Sequence, residues 1–305
     1  MAASVDQPFK DRYTIQDLEN LSGIQAHTIR IWEKRYDLLH PLRAGNNVRF
    51  YSQEDLLKLL NISTLYKQRY KISRIASMND DELLETIRKE SIQGLSEDFA
   101  SHSFKLAMLN YDQPLFDQTF KELSKHKSFR EIFSSIFIPL LNEIGMMWQT
   151  DTITIAHEHF LSNLVRQKIL LQVEQLQSAQ TVPGARTFVL FLPANEVHEL
   201  GLLYSHYEIC SHRHQSIYLG QSVPEEALGN LQSVYPGITF VTSMTTHPTT
   251  ENLEAFLANF STTILRKGKD ELWVSGRKIQ NLAANTTHKG VRLIHHQNDF
   301  LKALE

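Results

Sequence analysis

Cysteine is almost absent from this chain, because Cys210 is the only one among its 305 residues. A single cysteine excludes a framework of internal disulfides and is typical of proteins from a reducing compartment. We interpret Cys210 as a small buried helix residue rather than a reactive thiol. No apolar run approaches the length of a membrane span, and the first residues lack the basic-then-apolar order of a secretion signal. We therefore expect a cytoplasmic protein that has no membrane partner.

Charge is unevenly distributed along the chain. Residues 1–75 contain 12 Lys and Arg against 8 Asp and Glu, whereas the remainder contains 19 against 26. A basic module on an acidic body indicates that only the N-terminal part meets a polyanion. With 42% hydrophobic and 21% charged residues, the chain has enough apolar material for two or three globular domains.

Residues 1–80 are typical of short helices joined by tight connections. A capped helix begins after Thr14 and ends at Ser22-Gly23, and a second helix is predicted over residues 25–36. Residues 43–51 then have the composition of a turn between two short extended segments. A third helix and a short fourth helix follow. This order predicts an all-α winged helix-turn-helix domain.

A winged helix-turn-helix lays its second helix in the major groove of DNA, where side chains reach base edges. Thr28 and Arg30 face outward on that helix and are predicted to read bases, while Arg43 and Arg49 on the wing are predicted to meet phosphates. The full set of predicted DNA contacts is His27, Thr28, Arg30, Lys34, Arg35, Arg43, Arg49 and Tyr51. The alternative is a helical protein-interaction module, since arginine and aromatic residues at helical spacing also form ordinary solvated and core faces.

Five sequence blocks of this region follow one another in order. They are Tyr13-Thr-Ile-Gln-Asp-Leu18, His27-Thr-Ile-Arg-Ile-Trp-Glu-Lys-Arg-Tyr36, Leu39-His-Pro-Leu-Arg43, Asn47-Val-Arg-Phe-Tyr51 and Glu54-Asp-Leu56. Together they resemble the DNA-binding domains of the MerR family. The resemblance implies a dimer that binds and distorts promoter DNA and so acts indirectly on RNA polymerase. The long coiled-coil helix that many family members carry is not evident, so we expect dimerisation through other surfaces.

Residues 81–182 form the second predicted domain, where apolar side chains recur at spacings of three and four. Breaks near Gly94, residues 111–114 and residues 150–152 divide this pattern into four or five helices. Helices joined by such short breaks are expected to pack as a four-helix bundle.

The third predicted domain, residues 183–305, consists of short β-rich runs that are each followed by a segment of helical character. The five runs are Thr187–Leu192, Ser216–Leu219, Thr239–Thr242, Glu271–Val274 and Val291–Ile294. Five βα units in succession predict a parallel five-stranded sheet with helices on both faces, which is a flavodoxin-like α/β domain.

The loop after the first of these strands contains Glu196 and His198. Ligands of an open α/β sheet bind outside the carboxyl ends of its strands, so an imidazole in this loop can coordinate a metal. Glu196, two residues earlier, is placed to orient the second ring nitrogen. A lone histidine in a loop is more often an ordinary surface residue, and the spacing of further residues decides between the two interpretations.

Glu196-x-His198-x-x-Gly201 resembles the D/ExHxxG motif of cobalamin-binding domains. In that family the histidine replaces the cofactor's own benzimidazole as the lower ligand of cobalt, which implies this role for His198. A serine is expected further on, and Ser243 follows Gly201 after 41 intervening residues. The family's paired glycines line the slot for the displaced benzimidazole tail. Their nearest match here is Ser275-Gly276, which comes one residue later than expected and has serine in place of the first glycine.

Trp148, within the predicted bundle, is followed by nine residues and then by Glu158 and His159. This arrangement resembles the helical half of the CarA/CarH/LitR group of cobalamin-dependent MerR-type regulators, and the resemblance then covers essentially the whole chain. It implies that Trp148 packs over the upper ligand of the cofactor and that Glu158 and His159 hydrogen-bond an adenosyl group. Taken alone, Trp148 is also consistent with a core tryptophan at a helix end. We interpret the neighbouring His157 as exposed.

These resemblances imply a DNA-binding repressor that uses adenosylcobalamin as its sensor and assembles as a dimer or tetramer. Light is the implied signal, and His157 and His159 are the nearest imidazoles for the upper cobalt position after illumination. The alternatives are a light-independent regulator and a cofactor-less regulator that senses another ligand or a protein partner. A cobalamin-dependent mutase or methyltransferase needs a catalytic barrel, and no segment for one is present, so we do not expect an enzyme.

Overall fold

The computed structural model describes residues 12–43, 49–92, 97–177, 181–282 and 288–305. Contacts divide the chain into two compact units, of which the first ends at Val165 and the second begins at Arg166. The domain boundaries that the sequence places at residues 80 and 182 stay predictions.

The first unit begins with short helices and a two-stranded antiparallel wing, in the order expected of a winged helix-turn-helix. The elements are α1 (Ile15–Ser22), α2 (Ala26–Tyr36), β1 (Leu42–Arg43), β2 (Arg49–Phe50), α3 (Gln53–Lys67) and α4 (Ile72–Ala76). Helix α1 begins where predicted, because the Thr14 hydroxyl accepts from the N–H of Asp17 and the Asp17 carboxylate accepts from the N–H of Thr14. It ends at Gly23, whose φ of 71° is left-handed.

The inward side of α2 holds this region together. Ile29 and Trp32 are buried, as the sequence predicts, and the Trp32 ring meets the edge of Tyr66 on α3 with ring centroids 4.8 Å apart. The second capping box, between Ser52 and Asp55, starts α3. The outward side of α2 is exposed.

The rest of the first unit is helical. Its helices are α5 (Asp80–Ile92), α6 (Glu97–Asn110), α7 (Gln113–Leu123), α8 (Phe129–Ile132), α9 (Ile138–Gln149) and α10 (Ile155–Gln177), the last of which continues into the second unit. A π-helical turn over Phe133–Phe137 joins α8 to α9 without a break, so the bundle consists of α6, α7, the run from α8 to α9, and α10. The predicted four-helix bundle is confirmed.

Buried phenylalanine rings form the centre of the bundle. The Phe104 ring lies 4.7 Å from that of Phe116 and 5.3 Å from that of Phe137, measured between centroids. Tilted rings at this separation combine a large buried apolar area with favourable quadrupole geometry.

The second unit contains the five-stranded parallel sheet. Its strands are β3 (Thr187–Phe191), β4 (Gln215–Gly220), β5 (Thr239–Ser243), β6 (Glu271–Ser275) and β7 (Val291–Leu293), in the spatial order β4-β3-β5-β6-β7. Its α-helices are α11 (Leu200–Ser211), α12 (Gly229–Val234), α13 (Thr250–Asn259) and α14 (Gln297–Leu304). All five predicted strands are present, and the flavodoxin-like order is confirmed.

The strand order fixes where a ligand can bind. The chain runs from β3 outward to β4 and then returns to β5 on the other side of β3. This reversal opens a crevice at the carboxyl ends of β3 and β5, which is the usual ligand position in such a sheet. Among the helices of the residues described, none is both long enough and apolar enough to cross a membrane.

Candidate functional site

The loop at the carboxyl end of β3 pairs a buried carboxylate with a half-exposed imidazole. Glu196 is fully buried, whereas the His198 side chain is 50% exposed. His198 Nδ1 lies 2.6 Å from Glu196 Oε1, which is the contact that the sequence predicts. A neutral imidazole that donates from Nδ1 carries its lone pair on Nε2, the atom that can then bind a metal.

Backbone N–H groups surround the Glu196 carboxylate. The N–H groups of Thr245, Thr246 and His247, in the loop after β5, donate to Oε2 at 2.9, 2.6 and 2.8 Å. Those of Val197 and His198 donate to Oε1, both at 3.0 Å. Burial by itself raises the pKa of Glu196, but the bonds from the His198 ring and these N–H groups outweigh it and hold the pKa well below its usual value. Glu196 therefore stays ionised and fixes the tautomer of His198.

Thr246 is a member of this site that sequence reasoning missed. Its hydroxyl donates to Glu196 Oε1 at 3.2 Å and lies 3.4 Å from His198 Nδ1. Its position in the chain could have identified Thr246, because the loop after β5 must lie beside the loop after β3 in the predicted strand order. The residues Thr245 to His247 contribute mainly backbone atoms, which carry no residue-type signature.

Small residues lie at the carboxyl ends of the neighbouring strands. A Cβ atom built on Gly201 would lie 3.5 Å from Ser243 Oγ, so these two predicted residues are brought together. Gly276 has a φ of 106°, and a Cβ atom there would lie 2.5 Å from the backbone oxygen of Met244. Only glycine fits that position. The hydroxyl of Ser275, which stands where a glycine was expected, donates to the carbonyl of Thr242 at 3.2 Å.

The upper-face residues of the resemblance lie in the first unit. Trp148, at the end of α9, is 47% exposed, so it is not the core tryptophan of the alternative interpretation. Glu158 and His159 lie in the first turn of α10, where Glu158 Oε2 is 2.5 Å from His159 Nδ1. This carboxylate meets its histidine at Nδ1, as Glu196 does with His198.

His157 differs from its prediction. It is 7% exposed, its ring stacks on Tyr111 at 4.9 Å, and its Nδ1 lies 3.0 Å from the hydroxyl of Thr154. Burial lowers its pKa, against the opposing effect of a hydrogen bond to the Leu109 backbone. The prediction was wrong because His157 shares the inward face of α10 with the buried Leu161 and Leu164.

Helix α2 presents most of the predicted DNA contacts. His27, Arg30, Lys34 and Arg35 are exposed, and Thr28 is half-buried with its hydroxyl 3.3 Å from His27 Nε2. The side chain of Arg43, another predicted contact, is not among the parts that the structure describes. Residues 44–48 of the wing also lie outside the described residues.

Tyr51 and Arg49 converge on Glu33 of α2. The Tyr51 hydroxyl donates to Glu33 Oε2 at 3.0 Å, and Arg49 Nε lies 3.2 Å from Glu33 Oε1. Tyr51 is only 1% exposed, and burial together with this carboxylate raises its pKa. The prediction of a direct DNA contact is therefore corrected for Tyr51, since its side chain attaches the wing to α2 and presents almost no surface.

Comparisons with known proteins match two parts of the helical half of the chain. The family model of the MerR HTH family regulatory proteins matches residues 13–82, and that of the B12 binding domain matches residues 100–171. Over 227 residues, the chain is 31% identical to the HTH-type transcriptional repressor CarH of Myxococcus xanthus, which covers 71% of this chain and 73% of CarH. The chain belongs to the CarH family of transcriptional repressors.

A second relative of this CarH-family chain is the HTH-type transcriptional repressor CarA of Myxococcus xanthus, which is 27% identical over 222 residues, 70% of each chain. The monomethylamine corrinoid protein of Methanosarcina barkeri has a similar fold, with a TM-score of 0.53 and 12% identity over 66% of this chain and 94% of that protein. The family matches establish a cobalamin-binding, DNA-binding transcription regulator.

Proposed function

We propose that this CarH-family chain represses transcription only when it holds cobalamin, with His198 as the lower ligand of cobalt. The observation that carries the proposal is the pairing of the buried Glu196 with the half-exposed His198. His198 Nδ1 donates to the Glu196 carboxylate, and His198 Nε2 keeps its lone pair. Carboxylate-oriented imidazoles of this kind are the usual second-sphere arrangement of metal-binding histidines.

The surrounding residues fit the tail of a corrinoid. Gly201 and Ser243 lie against each other with little side-chain volume, and Gly276 has no room for a Cβ atom. A long, narrow group needs such small residues at the strand ends in order to enter the sheet domain. The hydroxyl of Ser275 turns back to the sheet, so the change from glycine is compatible with the same role.

The proposed form of the cofactor is adenosylcobalamin, and the proposed signal is light. When bound, this cofactor supplies a cobalt–carbon bond that light breaks. The exposed Trp148 offers an aromatic surface for the upper side of the corrinoid, and the Glu158–His159 pair offers polar groups for a nucleoside. Repression needs two states of the protein that differ in their contacts with the intact group.

The DNA-bound form is proposed to be a homodimer or tetramer on a promoter. Arg30 on the exposed side of α2 would read bases, and Arg49 would meet a phosphate. Symmetric DNA sites are bound by symmetric oligomers, and bound promoter DNA affects RNA polymerase indirectly.

The decisive experiment is purification of the full chain in the dark with adenosylcobalamin, followed by spectroscopy and DNA-binding assays before and after illumination. We expect a red complex that binds its promoter in the dark and releases it in the light. His198→Ala should lose the spectroscopic signature of imidazole ligation, with His126→Ala as an exposed histidine control.

Two results would contradict parts of this proposal. Cobalamin binding without a light effect would leave a light-independent, cobalamin-dependent repressor. Absence of binding, with His198→Ala indistinguishable from the parent, would reject the cofactor role and favour a regulator that senses another ligand.

A further inference from the structure

Glu199 follows His198 directly and caps the start of α11, and the site described so far gives it no role. Its side chain is 11% exposed, and both of its carboxylate oxygens are engaged. Arg166 of α10 donates from Nε to Oε1 at 2.5 Å, and the Tyr218 hydroxyl of β4 donates to Oε2 at 2.9 Å. The loop that carries His198 is thus held from a second helix and from a neighbouring strand.

Tyr218 is itself fixed in place. Its ring stacks on the buried imidazole of His206 at 5.3 Å, and His206 Nδ1 lies 2.7 Å from the hydroxyl of Ser216. Burial and the adjacent charge of Glu199 raise the pKa of Tyr218, so its hydroxyl remains a hydrogen-bond donor. The Tyr218 hydroxyl that donates to Glu199 therefore has little conformational freedom.

We infer that Glu199, Arg166 and Tyr218 form a clamp that positions His198 for cobalt by fixing the main chain immediately after it. Glu196 accepts from the His198 ring at Nδ1 and from the His198 main-chain N–H, whereas the clamp holds the chain on the other side of His198, at Glu199. The carbonyl of Glu199 accepts from the N–H of Leu203, so the same residue is anchored in α11 through its main chain. The inference rests on the proposed role of His198.

The clamp is expected to act on orientation more than on folding. Arg166 is 42% exposed, and an ion pair that water reaches contributes little to stability. A misplacement of a metal ligand by a fraction of an ångström nevertheless weakens its bond, because coordination tolerates only small changes in distance. Removing the clamp should therefore reduce the ligation of cobalt by His198 and leave the thermal stability of the protein unchanged.

The test compares the full chain with Arg166→Gln, Tyr218→Phe, Arg166→Lys and, as a matched control, Arg213→Gln at an exposed site. Each protein is loaded with cob(II)alamin, and the nitrogen splitting in its electron paramagnetic resonance spectrum measures imidazole ligation. We expect the ratio of ligated to unligated cobalt to fall about tenfold in Arg166→Gln, in the range seen for partners of metal ligands. Tyr218→Phe should show a smaller loss, Arg166→Lys a partial rescue, and Arg213→Gln the parental ratio.

Hydrogen exchange of the protein without cofactor supplies an independent readout. The amides of residues 197–203 should exchange faster in Arg166→Gln than in the parent or in Arg213→Gln. If Arg166→Gln shows both the nitrogen splitting and the hydrogen exchange of the parent, the inference is overturned and the proposed function stands. A parent that shows no nitrogen splitting, or the same splitting in His198→Ala, would overturn the proposed function and the inference with it.

Discussion

Replacing Glu196 by glutamine tests whether the carboxylate sets the metal-binding tautomer of His198. The two side chains have the same shape, but an amide end presents two N–H donors where the carboxylate has only acceptors. At the Oε2 position the amide nitrogen would face three backbone donors, so it must take the Oε1 position beside the imidazole. There it donates to His198 Nδ1 and moves the ring hydrogen to Nε2, the atom needed for cobalt.

The size of the effect follows from the bonds that are lost. In that orientation, the N–H groups of Val197 and His198, each 3.0 Å from Oε1 in the parent, face a donor. Hydrogen bonds to a charged group contribute about 1.5–3 kcal/mol each. We therefore expect the variant to lose about 3–6 kcal/mol of the stability of the second unit, and about 10–100-fold in cobalamin affinity.

Two measurements on Glu196→Gln separate these effects. Urea unfolding followed by tryptophan fluorescence reports stability, and titration with cobalamin followed by visible absorbance reports affinity and ligation. Glu254→Gln, a change at an exposed position on α13, is the matched control and should behave as the parent in both assays. Parental ligation in Glu196→Gln would refute the tautomer argument, even if the protein were less stable.

Three other predictions concern the sheet, the DNA and a buried histidine. Gly276→Ala should destabilise the second unit by about 2–5 kcal/mol in thermal unfolding, because its Cβ meets backbone at 2.5 Å at a positive φ, whereas Gly229→Ala, with open space, should not. In DNA-binding assays, Arg30→Ala should reduce the preference for the operator, while Arg49→Ala should weaken binding to all sequences alike. The reverse pattern would contradict the assignment of base contacts to α2 and of phosphate contacts to the wing. Burial, with Lys67 and Lys105 nearby, lowers the pKa of His102 from 6.5 to about 3, so its stabilising effect is complete above pH 6.5 and is lost as the pH falls towards 3. At 1.36 kcal/mol per pH unit, urea unfolding at pH 5 should show about 2 kcal/mol less stability from this residue than at pH 6.5, and His102→Gln should lack that difference.

Much of the fold could be predicted because its signals are local. Thr14 and Ser52 start helices through contacts three residues away, and the five strands are short runs that contain β-branched, aromatic and other apolar residues. The pairing of Glu196 with His198 was also predictable, since the two residues are separated by one position in a loop whose place at the sheet edge follows from the strand order.

The rest of the site depends on distant parts of the chain. Three of the backbone N–H groups that donate to Glu196 are about fifty positions away, and Arg166 is 33 positions from Glu199. Such pairs leave no periodic pattern in the sequence, because each partner is also an ordinary surface or loop residue. His157 and Tyr51 were misread for a related reason, since a polar ring can lie inward when its nitrogen or hydroxyl finds a partner.

The ion pair of Glu33 with Arg49 and its hydrogen bond from Tyr51 have a consequence for the proposed contact of the wing with DNA. Glu33 pairs with Arg49 in the protein without DNA, so we expect a phosphate that reaches Arg49 to displace this carboxylate. Exchanging one anion for another gains little from charge alone, and the gain depends on how well the phosphate matches the guanidinium geometry. Tyr51 keeps Glu33 in place during the exchange. We therefore expect the wing to bind arbitrary polyanions weakly and to respond more strongly to the shape of the DNA backbone.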